Sequence, residues 1–492
     1  MKAFKNYKES CLVTYIDKYA CSYQGQISVL ENYRVIIEIE DTPREMCIQI
    51  QKMKNAIICL KTNNRQIMAR RFIFREMKGN TSNKDFKCYN FKVTIEAFDV
   101  CWGEESCAND IREFIFDSFT CSVTEGTELI GLTPYEEIDS LKLYNTEMDL
   151  DIKAKVKELH SVSGYSCYAF HDVIRRKTEI RFGIKSEIHY RAKEKMGIDS
   201  IKENIYNMIL FLEILSGELI TTTQVILFKN DKQFDYLGNC NFLKENLVIF
   251  NKNNFDSRSF IRESIFKVSD FATFLDDAIN KFCLLVKNKK LAFDSYKQVL
   301  LDEEVGISTT NKFLKVMQII EGMERNKINE EEQKKFDKQK EEILCKVNTE
   351  EDKQFIKRYC TNNGDKFIKC LQKITKKAIM SLSGLSNNQF GECHTYTLLS
   401  NIKNDRDVYT HASHMANPIL SIDEINWVIA CYKVFFRVEV LLELGVDISL
   451  IRKRFSHDRY FVGSYSKLFD LKIKLEDSFE TGEYDNIMRG FD

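Results

Sequence analysis

The chain has 492 residues, 44% of them hydrophobic, which is ample for a buried core and too long for one ordinary domain. Its 72 basic and 73 acidic residues leave a net charge of −1, so no whole-chain attraction to nucleic acid or to an anionic membrane operates, and any such contact must come from a local patch. The 16 cysteines stand singly from Cys11 to Cys431 with no CxxC pair, a distribution that fits reduced thiols used as small core residues and disfavours zinc.

Residues 1–24 contain no uninterrupted apolar run, because Asp17 and Lys18 break it, so no signal peptide is expected. From residue 1 to about residue 195 the pattern is β-rich. QISVLENYRVIIEIEDTP (26–43) alternates and is rich in β-branched residues, and AIICLK (56–61), QIMARRFIFREM (66–77), FKVTIEAFDV (91–100) and TEIRFGIKSEIHY (178–190) behave alike. Polar turns separate them, which predicts an antiparallel sandwich or an open barrel. Residues 151–160, DIKAKVKELH, read as a short helix. A helix is predicted over 199–216, with Gly217 as its C-cap, and TTTQVILFKN (221–230) and ENLVIF (245–250) return to strand.

From Asp256 the period becomes helical. In TTNKFLKVMQIIEGMERNK (309–327), Phe313, Val316, Met317, Ile320 and Met323 fall on one face. The charged run 328–359 mixes acids and bases, as a solvated helix face does, which weakens any attraction to phosphate. SLSGLSNNQFGE (381–392) reads as a loop. The two most apolar stretches, 205–220 and 426–446, carry Glu213 and Glu218 in the first and Lys433, Arg437, Glu439 and Glu443 in the second. Both are therefore core helices rather than membrane spans, and a soluble, cytoplasmic protein is expected. The expected fold class is α+β. Residues 1–290 form a β-rich domain and 295–460 an all-α bundle, with a C-terminal tail over 461–492.

The chemistry concentrates in NDRDVYTHASH, residues 404–414, where two of only 7 histidines stand. Asn404 or Asp405 reads as an N-cap, and Pro418 limits any continuation, so a short helix is predicted from Arg406 to about Ala416. On it Asp407 and His411 are i,i+4, and His411 and His414 are i,i+3. Arg406 lies about 140° round from His411 and reaches the same space with its long side chain. An arginine grips phosphate oxygens with a planar fork, and a histidine takes or gives a proton near neutrality. This is the equipment for cleaving RNA without a metal or cofactor. Arg-x4-His is weak as a pattern, and the same residues also suit an ordinary helix surface.

The surroundings resemble the HEPN superfamily of bacterial ribonucleases, in particular its ApeA-type members. The motif stands as Arg406-Asp407-Val408-Tyr409-Thr410-His411. It is followed by a long apolar helix within SIDEINWVIACYKVFFRVEVLLELGVDISLIRKRF (421–455), with a Ser421/Glu424 capping box and Gly445 as C-cap. The resemblance covers about 300–460. It implies a helical bundle that forms a homodimer, two motif helices making one composite site, and RNA cleavage, tRNA included, as the toxic output of antiphage abortive infection. Arg406 would polarise the phosphate, His411 would act as acid and base, and Asp407 would support them. The β-rich part would restrain the activity and meet a phage-derived trigger.

Tyr409 is a candidate for stacking on a base and His414 for contacting RNA, though core packing and an exposed helix position suit them as well. His394 reads as a loop residue, and Arg452, Lys453 and Arg454 either touch phosphate or favour a helix C-terminus. The rival reading is a non-catalytic HEPN module that binds RNA or protein, joined to a ligand-binding β-domain.

Overall fold

The computed structural model describes residues 7–470 except 17–18, 31–34, 53–56, 64, 80–89, 105–114, 124–134, 145–146, 156, 161–164, 177–178, 221, 231, 239–265, 272, 325–329, 348, 360–366, 383–391 and 412–416. The chain divides into two compact units, Met1–Asn280 and Lys281–Asp492.

The first unit begins with β1 (Tyr7–Ile16), β2 (Tyr19–Val29), β3 (Val35–Pro43), α1 (Arg44–Lys52), β4 (Ile57–Lys61), β5 (Arg65–Gly79) and β6 (Asn90–Glu104). These strands pair antiparallel in the order β6-β3-β2-β1-β4-β5, and β5 pairs back onto β6, from Arg65 opposite Glu104 to Gly79 opposite Phe91. The ladder thus closes into a six-stranded barrel. The alternation read from the sequence explains its filling: Val13, Ile27, Ile37, Leu60, Ile67 and Ile95 are all fully or almost fully buried in one cluster, to which α1 adds Cys47 and Ile50.

The rest of the unit contains β7 (Ile115–Val123), β8 (Tyr135–Tyr144), β9 (Glu147–Lys155), β10 (Lys157–His160), β11 (Tyr165–Arg176), β12 (Glu179–Gly197), α2 (Ile198–Ser216), β13 (Thr222–Lys229) and β14 (Lys232–Gly238). An open ladder β10-β11-β12-β7-β13-β14 joins the barrel where β14 pairs with residues 99–103 of β6, and β8 with β9 forms a separate hairpin. β6 is therefore shared. The α2 helix, ended by Gly217 at φ 81°, lies against β7 and β12. Its Lys202 pairs with the buried Asp99 of β6, which also accepts a hydrogen bond from the Tyr236 hydroxyl at 2.7 Å.

Two expectations change here. Residues 151–155 and 157–160, expected in a helix over 151–160, are strand, in β9 and β10. Leu150, Ile152 and Ala154 alternate with charged residues, and that period outweighs the helix propensity of the lysines and alanine. The barrel is closed rather than open, a property of the β5–β6 pairing that no single stretch reveals. ENLVIF lies outside the described residues.

The helices are α3 (Leu275–Asn288), within which the boundary between units falls, α4 (Lys290–Val305), α5 (Thr309–Glu324), α6 (Glu330–Lys346), α7 (Glu350–Tyr359), α8 (Phe367–Ser381), α9 (Glu392–His411), α10 (Ile422–Glu443), α11 (Ile448–Phe455) and α12 (Arg459–Asp470). The α5 helix packs against α4, α8, α9 and α10. Its predicted face of Phe313, Val316, Met317, Ile320 and Met323 is the buried one. The α4–α5 contact is close because residue 322 is glycine: a Cβ there would stand 2.7 Å from the Ala292 nitrogen. The α10 helix is central and buried along most of its length, with Tyr432, Phe435 and Phe436 in the core and the charged Arg437 and Glu439 buried beside them. The Ser421/Glu424 capping box is formed, and Gly445 at φ 88° follows its end, as expected. The helical fold continues through α12 to Asp470, where a tail was expected from 461, because Phe461, Tyr465 and Leu468 are buried. Most described side chains of α6 are exposed, as a solvated helix face requires.

Among the described residues, no helix is long and apolar enough to cross a membrane, and the ten cysteines whose side chains are described are free thiols.

Candidate active site

The motif lies on the second half of α9, and this corrects the expected short helix. The helix does not start at Arg406. It begins at Glu392, so the motif forms its C-terminal turns and His411 is its last residue. Asn404 and Asp405 are interior positions rather than caps. His394, expected in a loop, stands in the first turn.

Among the described side chains of α9, the buried ones are Leu398, Leu399, Ile402 and Asp405. Asp405 continues the apolar stripe at i+7 and i+3, so a carboxylate enters the core. Its cost is met by two backbone donors that stand just before α10: Ile419 N–H at 2.7 Å to Oδ1 and Leu420 N–H at 2.9 Å to Oδ2. Burial raises its carboxyl above the ordinary value, partly offset by these two bonds, while the nearby Glu424 charge adds to the rise. The Asp405 clamp thus ties the motif helix to the start of α10.

With Ile402 and Asp405 facing inward, Arg406 falls at the margin of the buried face and is about one quarter exposed. Three elements hold its guanidinium. Nη2 donates to Glu321 Oε1 of α5 at 3.2 Å, Nη1 donates to Asp407 Oδ1 at 3.0 Å, and Cζ sits 4.9 Å from the ring centroid of Phe367 on α8. Asp407 also accepts from Lys403 Nζ at 2.9 Å, one turn earlier. Partial burial pushes the Asp407 carboxyl up, but the hydrogen bonds and charges of Lys403 and Arg406 outweigh it and hold the group below the ordinary carboxylate value. Asp407 is thus an ionised acceptor shared by two cations.

Tyr409 meets Phe313 of α5 edge to face, with ring centroids 6.0 Å apart, so it packs on the bundle while staying half-exposed. Burial raises its phenol above the usual value, and the Asp405 charge adds to this. The backbone of His411 closes α9 one turn after Asp407, and its side chain lies outside the described residues, as does all of His414. The structure therefore brings Arg406 and Asp407 into direct contact and sets Tyr409 against Phe313. Arg452 donates from Nε to the Ser381 carbonyl at 3.4 Å, so this member of the basic cluster is used at the end of α8, and the His457 Nδ1 lies 2.7 Å from the backbone carbonyl of Lys453.

Three residues of this arrangement escape sequence reasoning. Lys403 had a usable signal, its i,i+4 spacing to Asp407. Glu321 is 85 positions from its partner and had none. Asp405 was visible only as a cap-type residue. Among the described residues, no group of three or more His, Cys, Asp or Glu side chains is placed to hold a metal ion.

Residues 314–449 match the family model described as Apea-like HEPN, a span that runs from α5 into α11 and contains the whole of the motif. No curated protein and no solved structure matches the chain. The helical unit of this chain accordingly carries an Apea-like HEPN domain, preceded by a β-rich unit.

Proposed function

We propose that the chain is an endoribonuclease effector of bacterial antiphage defence that cuts cellular RNA, tRNA included, at a site built on Arg406, Asp407 and His411. The observation that carries this reading is the presentation of Arg406. Within the HEPN segment, its guanidinium is oriented from three elements and stays partly exposed one and a half turns before His411.

Arg406 would bind the scissile phosphate and neutralise charge that grows on its oxygens. A base takes the proton of the 2′-hydroxyl, whose oxygen attacks phosphorus. The bond to the 5′-oxygen breaks as that oxygen gains a proton. The products are a 2′,3′-cyclic phosphate and a 5′-hydroxyl. His411 is the group for this proton traffic, since imidazole exchanges protons near neutrality. Asp407 accepts hydrogen bonds from both Lys403 and Arg406, which suits a carboxylate that orients the arginine. None of these steps calls for a metal. Each chain contributes one Arg406 and one His411, and a homodimer with facing α9 helices would combine two sets into one site. The β-rich unit is the part available to restrain the nuclease and to receive a phage-derived trigger.

The test is induced expression of wild type, Arg406→Ala and His411→Ala in a bacterial host, with RNA sequenced for new 5′-hydroxyl ends with and without phage. New ends and toxicity that need both residues support the proposal. Intact RNA together with intact phage protection would leave a binding module, with no cleavage at Arg406 and His411.

A further inference from the structure

Arg406 is held by a residue outside its own helix, and from this contact we infer that Glu321 is a positioning residue for the nuclease, acting through Arg406. The inference rests on the ribonuclease reading above and deepens it.

A guanidinium on a four-bond stem samples many rotamers, and phosphate recognition is effective only when the fork is preset. Asp407 alone cannot preset it. It is the next residue on the same helix, half-exposed, and also bonded to Lys403, so it moves with α9. Glu321 differs on each count. It belongs to α5, is mostly buried, and contacts the opposite terminal nitrogen of the guanidinium. Its own place is fixed by its neighbours. Ile320 is fully buried on one side of it, and Gly322 on the other packs directly on the Ala292 backbone. The Phe367 ring then limits the remaining motion out of plane. A guanidinium has five N–H groups, and two are used in these carboxylate bonds, so the fork is oriented and keeps donors for phosphate oxygens.

The sign of the effect is not given in advance by the ion pair. A carboxylate beside a phosphate-binding arginine can orient it or compete with the phosphate. The position of Glu321 favours orientation. It shares the guanidinium with Asp407 at opposite ends and leaves the group partly exposed between them.

The experiment uses the full-length protein and a bulk tRNA pool, with cleavage followed as 5′-hydroxyl ends. Glu321→Ala is expected to lower kcat by about 10–100-fold with KM changed by no more than about threefold, the size typical of losing a group that orients a functional ligand. Glu321→Gln keeps an acceptor oxygen and should recover most of the loss. The decisive readout is a cycle with Arg406→Lys, in which the Glu321→Ala loss should shrink to within about twofold, because the residue it acts through is altered. An equal loss in both backgrounds would mean that Glu321 only supports the fold. A rise in kcat for Glu321→Ala would mean that it competes with substrate. Either result overturns the inference. Wild-type protein that yields no more ends than His411→Ala would overturn the ribonuclease reading itself, and the role of Glu321 with it.

Discussion

Removing the Asp405 carboxylate should destabilise the helical unit without touching the guanidinium frame directly. Its two oxygens each accept one backbone N–H, from Ile419 and Leu420. A hydrogen bond to a charged group contributes about 1.5–3 kcal/mol, so the gross loss in Asp405→Ala is about 3–6 kcal/mol. Two effects reduce this. Ile419 is 54% exposed, so water can reach its N–H. The carboxylate is also held in the core at a cost, which its raised pKa records. Leu420 is 7% exposed, and its N–H is left dry. A net loss of about 2–4 kcal/mol follows for alanine, and about half of that for Asp405→Asn, which keeps one acceptor. Urea unfolding of the full-length protein, read at the transition of the helical unit, measures it, and amide exchange at Ile419 and Leu420 locates it. The pH dependence gives a second check. A carboxyl whose folded pKa is raised contributes stability that is present below the unfolded pKa and lost as pH rises through the folded one. The advantage of wild type over Asp405→Asn should therefore widen as pH falls from neutrality. A change below about 0.5 kcal/mol in Asp405→Ala, with unaltered exchange at both amides, would refute the clamp.

Other outcomes follow from neighbouring features. Gly322→Ala should cost about 1–3 kcal/mol in unfolding stability, because the new methyl meets the Ala292 backbone at 2.7 Å rather than a flexible side chain. Ser421→Ala removes the acceptor for the Glu424 N–H and should cost about 1 kcal/mol, with the thermal midpoint as the measure. Asp407 has a lowered folded pKa, so the stability it contributes is present above its unfolded pKa and lost as pH falls through the folded one. The stability gap between wild type and Asp407→Asn should thus be open at neutral pH and close in strong acid.

Much of the β-rich unit was legible because its strands bury one face. Val35, Ile37 and Ile39 alternate with exposed or half-exposed neighbours, and the period of two is visible in the letters. The closure of the barrel was not legible, since it depends on β5 meeting β6 across residues 80–89, and a pattern reports a face rather than a partner. The motif helix shows a different limit. Asn404 and Asp405 have the composition of a helix start, and local propensity favours one there. The fold uses Asp405 instead as an acceptor for amides 14 and 15 residues later, a tertiary demand with no local trace. Glu321 is the same case at longer range. The buried stripe of α5 was predicted correctly, yet nothing in it distinguishes Glu321 from an ordinary half-buried acid.

The sharing of β6 between barrel and ladder carries a consequence for synthesis. The barrel strands are complete once residue 104 has left the ribosome, with residues 99–103 paired on one side to β5, but their partner on the other side is β14, as in the pairing of Trp102 with Asp235. At about 5–20 residues per second, the intervening 235 − 102 = 133 residues take roughly 7–27 s to make. For that interval the nascent chain has a nearly finished barrel with one short strand edge still unpaired, the kind of edge that invites pairing with other chains.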